Sequence, residues 1–171
     1  MIRDDEIQRL IKYAQGMGVR VLMSKAQNSE DSAEFSLDGT EITVYVKSQN
    51  SKTETILSLI HELGHLLDHI HQHDRQLDVK FEQALDPNRH GKISKKKRKV
   101  ILDSEVAATA YWHTIYKETD LKFPMWKLEA QMQHDIWQYE FYYENGRFPN
   151  SKERHGMKIE IYNKHKVKNE Q

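Results

Sequence analysis

Apolar residues recur along this chain with two different periods, and the switches between them order its elements. Ile7, Leu10, Ile11 and Ala14 recur every three or four residues, which predicts an amphipathic opening helix. Asp4, Asp5 and Glu6 fall in its first turn, where carboxylates suit the positive end of the helix dipole, and Gly16 and Gly18 end it. The period then becomes two. Val19 to Ser24 is a short β-rich run. Ala33, Phe35 and Leu37 alternate with Glu34, Ser36 and Asp38, and Ile42, Val44 and Val46 alternate with Thr43, Tyr45 and Lys47. Asp38-Gly39 between the last two runs is a two-residue hairpin signal. A second helix opens with Ser51 and Glu54 as a capping box, and Ile56, Leu59, Ile60, Leu63, Leu67 and Ile70 form its buried stripe.

Residues 73–99 lose this periodicity. Asp86-Pro87-Asn88 and Gly91 punctuate them, and a basic insertion loop is expected at about 86–100, carrying Arg89, Lys92 and the run Lys95 to Lys99. A third helix has Ile101, Ala108, Tyr111, Trp112 and Ile115 among its apolar positions. A fourth begins after Pro124, a residue suited to a first helical turn, and buries Trp126, Leu128, Met132, Ile136, Tyr139 and Tyr142. The aromatics from Tyr139 to Tyr143 read as core because of their helical spacing, and Gly146 stops the helix. Residues 151–171 read as a polar tail with one alternating run, Met157-Ile159-Ile161, and frayed last residues. A chain of 171 residues suits one domain with one core, here residues 1–150. The order of elements predicts an α+β fold, with a small antiparallel β-meander packed on a mostly helical domain.

Charge and composition exclude some functions. Charged residues make up 30% of the chain, yet the net charge is +0, so no overall field recruits nucleic acid or an anionic membrane. No apolar run reaches the roughly 18 residues a membrane-spanning helix needs. The polar start Met1-Ile2-Arg3-Asp4-Asp5-Glu6 lacks a signal-peptide core, and a cytoplasmic setting is expected. With no cysteine, disulfides and Cys-ligated zinc are excluded.

The candidate chemistry lies in His61-Glu62-Leu63-Gly64-His65, inside the second helix. Four helical residues advance about 6 Å and turn about 40° past a full circle. The two imidazoles therefore leave one face a turn apart and can grip one metal ion. Glu62 lies about 100° round the wheel, near enough to take a proton from an attacking water without being a ligand. This is the H-E-x-x-H arrangement of zinc peptidases, and Zn2+ is the expected cofactor. Gly64 costs about 1 kcal/mol relative to Ala in a helix interior, and a glycine kept there often marks the close approach of another backbone.

A catalytic zinc site needs a third protein ligand and an open position. His69 lies too far along the axis to converge with His61. For His71 to return to the metal, a glycine would have to turn the chain at position 68, where Asp68 stands. His73 has no special claim. Glu105 stands among small residues in Asp103-Ser104-Glu105-Val106-Ala107-Ala108-Thr109-Ala110, which would let its helix approach another closely, and Glu82 is the runner-up.

In this order of elements, with the pentapeptide and a later Glu on an Ala-rich helix, the chain resembles the ImmA/IrrE-like metallopeptidases over about residues 1–118. The family's H-E-L-G-H matches letter for letter. Of its later E-A-x-x-F-A, the chain keeps Glu105 and Ala110, with Val106 and Thr109 at the other two fixed positions. The resemblance implies a zincin-like domain and a zinc-dependent endopeptidase of gluzincin type, frequent in bacteria and their phages. It also implies a protein substrate, in some members a transcriptional repressor. The ligands would be His61, His65 and Glu105, with Glu62 as the base. An extended peptide would add along the sheet edge, and Tyr111, His113 and Tyr116 are chemically able to stabilise the oxyanion. The alternative is a catalytically silent zincin-like protein that binds a protein partner or, through Lys95–Lys99, nucleic acid. Glu62 argues for the enzyme, because a purely structural metal has no use for a base. For the basic run, which resembles a nuclear localisation sequence, the neutral whole-chain charge and the lack of interleaved aromatics favour a solvated segment.

Overall fold

The computed structural model describes residues 5–24, 33–35, 41–45, 52–71 and 93–169. Helix α1 spans Asp5–Gly16 and buries Ile7, Leu10 and Ala14. It ends in a Schellman motif, in which the Val19 N–H donates to the Ala14 carbonyl and the Gly18 N–H to that of Gln15, both at 3.0 Å. The motif needs a left-handed residue at Gly18, whose φ is 83°. Glu6 does more than favour the dipole. Its Oε1 accepts from the Lys122 backbone N–H at 2.7 Å, and its Oε2 pairs with Lys52 Nζ at 2.7 Å, tying α1 to two other segments.

Strands β1 (Arg20–Ser24), β2 (Ala33–Phe35) and β3 (Glu41–Tyr45) form one sheet in the order β1-β3-β2. β2 and β3 are antiparallel, in keeping with the hairpin signal at Asp38-Gly39, which itself lies outside the described residues. β1, however, pairs with β3 in parallel, with Arg20 opposite Glu41 and Ser24 opposite Tyr45. The expected antiparallel meander is thus corrected to a mixed sheet with β3 in the middle. Burial gives the reason. Ile42 and Val44 of β3 are sealed in the core, whereas Leu22 and Met23 of β1 are exposed. β3, with its apolar positions sealed, takes the centre of the described strands, and β1, with exposed apolar residues, lies beside it at an edge. Alternation fixes which face a residue occupies but not the neighbour or its direction.

Helix α2 runs Lys52–His71, beginning right after Ser51, so the capping box rests on a residue outside those described. Ile56, Leu59, Ile60, Leu63 and Leu67 are buried, but Ile70 is 48% exposed and is removed from the predicted stripe, because the last turn runs past the core. The third predicted helix is two helices, α3 (Lys95–Thr109) and α4 (Trp112–Glu118). At the break, the Tyr111 N–H bonds to Ala108, three residues back, instead of four. The expected basic loop at about 86–100 is corrected in its second half, since Lys95 to Val100 are helical and residues 72–92 lie outside those described. Helix α5 spans Met125–Asn145. Pro124 sits at its N-cap, and Gly146 closes it at φ 69°, donating to Tyr142 at 2.9 Å. The expected polar tail is a further helix, α6, over Ser151–Asn169, with Ile161 buried.

Two compact units emerge, one comprising Met1–His71 with Ala108–Phe123 and the other Gln72–Ala107 with Pro124–Gln171. In the first, α2 packs against α1, β2, β3 and α4. In the second, α5 packs on α6, and Ile101 of α3 shares a small core with Tyr142, flanked by Ile93 and Tyr139. No helix among the described residues is long and apolar enough to cross a membrane.

Candidate metal centre

The site begins with a notch in α2. A Cβ at Gly64 would stand 2.5 Å from the Ala108 carbonyl oxygen and 3.0 Å from Trp112 Nε1. No Cβ tolerates such distances, so the glycine lets the end of α3 lie directly against the α2 backbone. Glu105 is one turn upstream of Ala108 on α3, on the buried stripe Ile101, Glu105, Ala108, Trp112.

The ligand atoms of His61, His65 and Glu105 all lie within 4.8 Å of one another, the one such convergence among the described residues. The Nε2 atoms of His61 and His65 face each other at 3.2 Å. Two bonds of about 2.1 Å meeting at a tetrahedral angle need nitrogens about 3.4 Å apart, so the spacing of the two imidazoles suits one Zn2+ ion. The donors suit the ion in kind too, as imidazole and carboxylate are both zinc ligands. Glu105 is buried and the histidines are half-buried. A carboxylate removed from water needs a compensating charge or hydrogen bonds. Glu62, next to His61, is buried as well.

His71 sets its Nδ1 2.7 Å from the Leu67 carbonyl and stacks on Tyr111 at 5.5 Å, so it takes no part in the ligand group. His69 is exposed. His73 and Glu82 lie outside the described residues; among the described residues, Glu105 is the carboxylate grouped with the two histidines. Of the possible oxyanion donors, Tyr116 donates its hydroxyl to the Phe123 carbonyl at 2.6 Å. Burial, with the nearby Glu6 charge, raises its pKa. Tyr111 is held against His71, and His113 is half-buried on α4.

The basic run is partly absorbed by the fold. Arg98 donates its Nε to the Tyr143 carbonyl at 2.9 Å and its Nη1 to that of Ile93 at 2.7 Å. Lys95 bonds Glu144 at 2.9 Å, and Lys99 bonds Asp103. Arg98 and Lys95 thus meet the C-terminal end of α5, where cations are favoured. Trp112, expected only as a core position, is the residue whose part in the site was missed. Its ring centroid lies 5.7 Å from that of His61 with the planes at 80°. The signal available was its place seven residues after Glu105, on the same stripe.

No protein-family model matches the chain, and neither does any curated protein or solved structure.

Proposed function

We propose that the chain is a zinc-dependent endopeptidase acting on a protein substrate, of the ImmA/IrrE-like kind its motifs resemble. The observation that carries this reading is the convergence of the His61, His65 and Glu105 ligand atoms within 4.8 Å, with a buried carboxylate, Glu62, beside the first histidine. His61, His65 and Glu105 would hold the metal. Bound there, Zn2+ supplies a Lewis acid that polarises a peptide carbonyl and brings the pKa of water near 7.

The chain's own residues do the rest. The Glu62 carboxylate accepts a proton from the attacking water and returns it to the leaving amine. Among the described strands β2 is at an edge and lies against α2, so an extended peptide pairing alongside it would be held by main-chain hydrogen bonds near the helix carrying the histidines. A regulatory protein with an exposed flexible segment, such as a repressor, suits that mode. The setting is cytoplasmic on this reading.

Two measurements test it. Protein purified without chelators or a histidine tag should carry one zinc per chain by mass spectrometry, and His61→Ala should carry none. Glu62→Gln should keep the zinc and lose about 10²–10⁴-fold in cleavage of a labelled unfolded protein, the usual contribution of a general base. Cleavage at the parental rate would overturn the assignment of the base.

A further inference from the structure

We propose that Trp112 is a positioning residue for the metal site, seated in the Gly64 notch and fixing the tilt of the His61 ring. The inference rests on the metal-site reading above and adds a residue to it. Trp112 opens α4 and is fully buried. Its indole meets the His61 imidazole near perpendicular, and the His65 ring meets the same imidazole at 4.8 Å and 73°. His61 is therefore braced by one aromatic ring on each of two elements. Its Nε2 lies 3.2 Å from that of His65 in this arrangement.

The indole N–H supports a role beyond filling space. Nε1 is buried, and among the described residues no acceptor bonds it. A buried donor without an acceptor is unfavourable, so packing alone would favour a phenyl ring at this position. What the indole adds is reach across the bare backbone of Gly64, where Nε1 sits 3.0 Å from the missing Cβ, to the His61 ring. Its two side-chain torsions leave the brace little freedom. Groups that orient a metal-binding histidine commonly contribute about 10–100-fold to metal affinity.

Co2+ and Zn2+ titrations of the apoprotein against a chelating dye test the proposal. The visible absorption of Co2+ reports coordination geometry independently of catalysis. Trp112→Leu should weaken both metals by about 10–100-fold and alter the Co2+ spectrum, with Trp112→Phe falling between it and the parent. Leu128→Ala, in the core of α5, should lower stability and leave affinity and spectrum unchanged. In a Trp126→Phe/Trp137→Phe background, Co2+ should quench the emission of Trp112 at one equivalent. Parental affinity and spectrum in both Trp112 variants would overturn the positioning role while leaving the ligand set intact, whereas no quenching in that background would put the ion away from His61 and overturn the ligand reading with it. If the parent binds Co2+ no better than His61→Ala does, the ligand reading itself falls, and this proposal with it.

Discussion

Replacing Gly64 by Ala sets two effects of opposite sign against each other. Helix propensity favours Ala by about 1 kcal/mol. Against it stands a Cβ 2.5 Å from the Ala108 carbonyl oxygen, a backbone atom that cannot rotate aside. Overpacking of that kind costs about 1–3 kcal/mol and shifts backbone, so the clash wins. Gly64→Ala should lower stability in urea denaturation, and a variant as stable as the parent would show that the notch is not a contact. At this scale the grouping of His61, His65 and Glu105 was legible. The pentapeptide announces itself, the glycine within it is explicable only by a close neighbour, and Glu105 stands one turn before the small residue that fills the notch. The brace on His61 was not legible. An aromatic at helical spacing reads as core, and the ring it touches is set by tertiary packing at a break between α3 and α4, a break that no proline or glycine marks.

Elements were legible where local chemistry marked their ends. Gly18 and Gly146 both sit at positive φ, and α1 and α5 end beside them. Helix α6 was misread because Met157, Ile159 and Ile161 alternate, yet the helix buries Ile161 and leaves Ile159 exposed. Its start carried a better signal. Asn150 Oδ1 accepts from the Glu153 N–H at 3.0 Å, and Glu153 Oε2 accepts from the Asn150 N–H at 2.7 Å, a reciprocal capping box. Asn150→Ala should therefore lower stability by about 1 kcal/mol, read as a shift in the denaturation midpoint. Glu153 is held by two bonds of 2.9 Å from Arg147 as well. That guanidinium first, and the Asn150 N–H second, bring its pKa from 4.5 to about 2. A carboxylate with a depressed folded-state pKa stabilises the fold above its unfolded value and loses that contribution as pH falls through the folded one. The stability difference between the parent and Glu153→Gln should thus be full above pH 4.5 and shrink toward zero near pH 2. A difference independent of pH across that window would mean that the carboxylate's charge has no part in the cap.

The whole molecule resisted prediction most where its contacts are non-local. Strand periodicity located all three strands but could not say that β1 would run parallel to β3 on the far side from β2, since that depends on how buried each strand is once assembled. The metal ligands are non-local too. Glu105 comes forty positions after His65, so an ion held by both helices would clip a long loop. Such clips matter most for long loops, because the open chain has the most freedom to lose. An ion that binds the folded chain alone adds RT ln(1 + [L]/Kd), about 4 kcal/mol when it is present at a thousand times Kd. For a chain of this length, each kcal/mol moves the midpoint by about 2–4 °C. Adding chelator to the metal-loaded protein should lower its thermal midpoint by roughly 10 °C on that scale. His61→Ala should melt at one temperature with or without chelator, because it has lost the ion already. Glu62→Gln should respond as the parent does, because its carboxylate is assigned to proton transfer and not to the ion. A chelator effect that survives in His61→Ala would put the stabilising ion elsewhere in the chain, and a chelator effect lost in Glu62→Gln would move Glu62 from base to ligand.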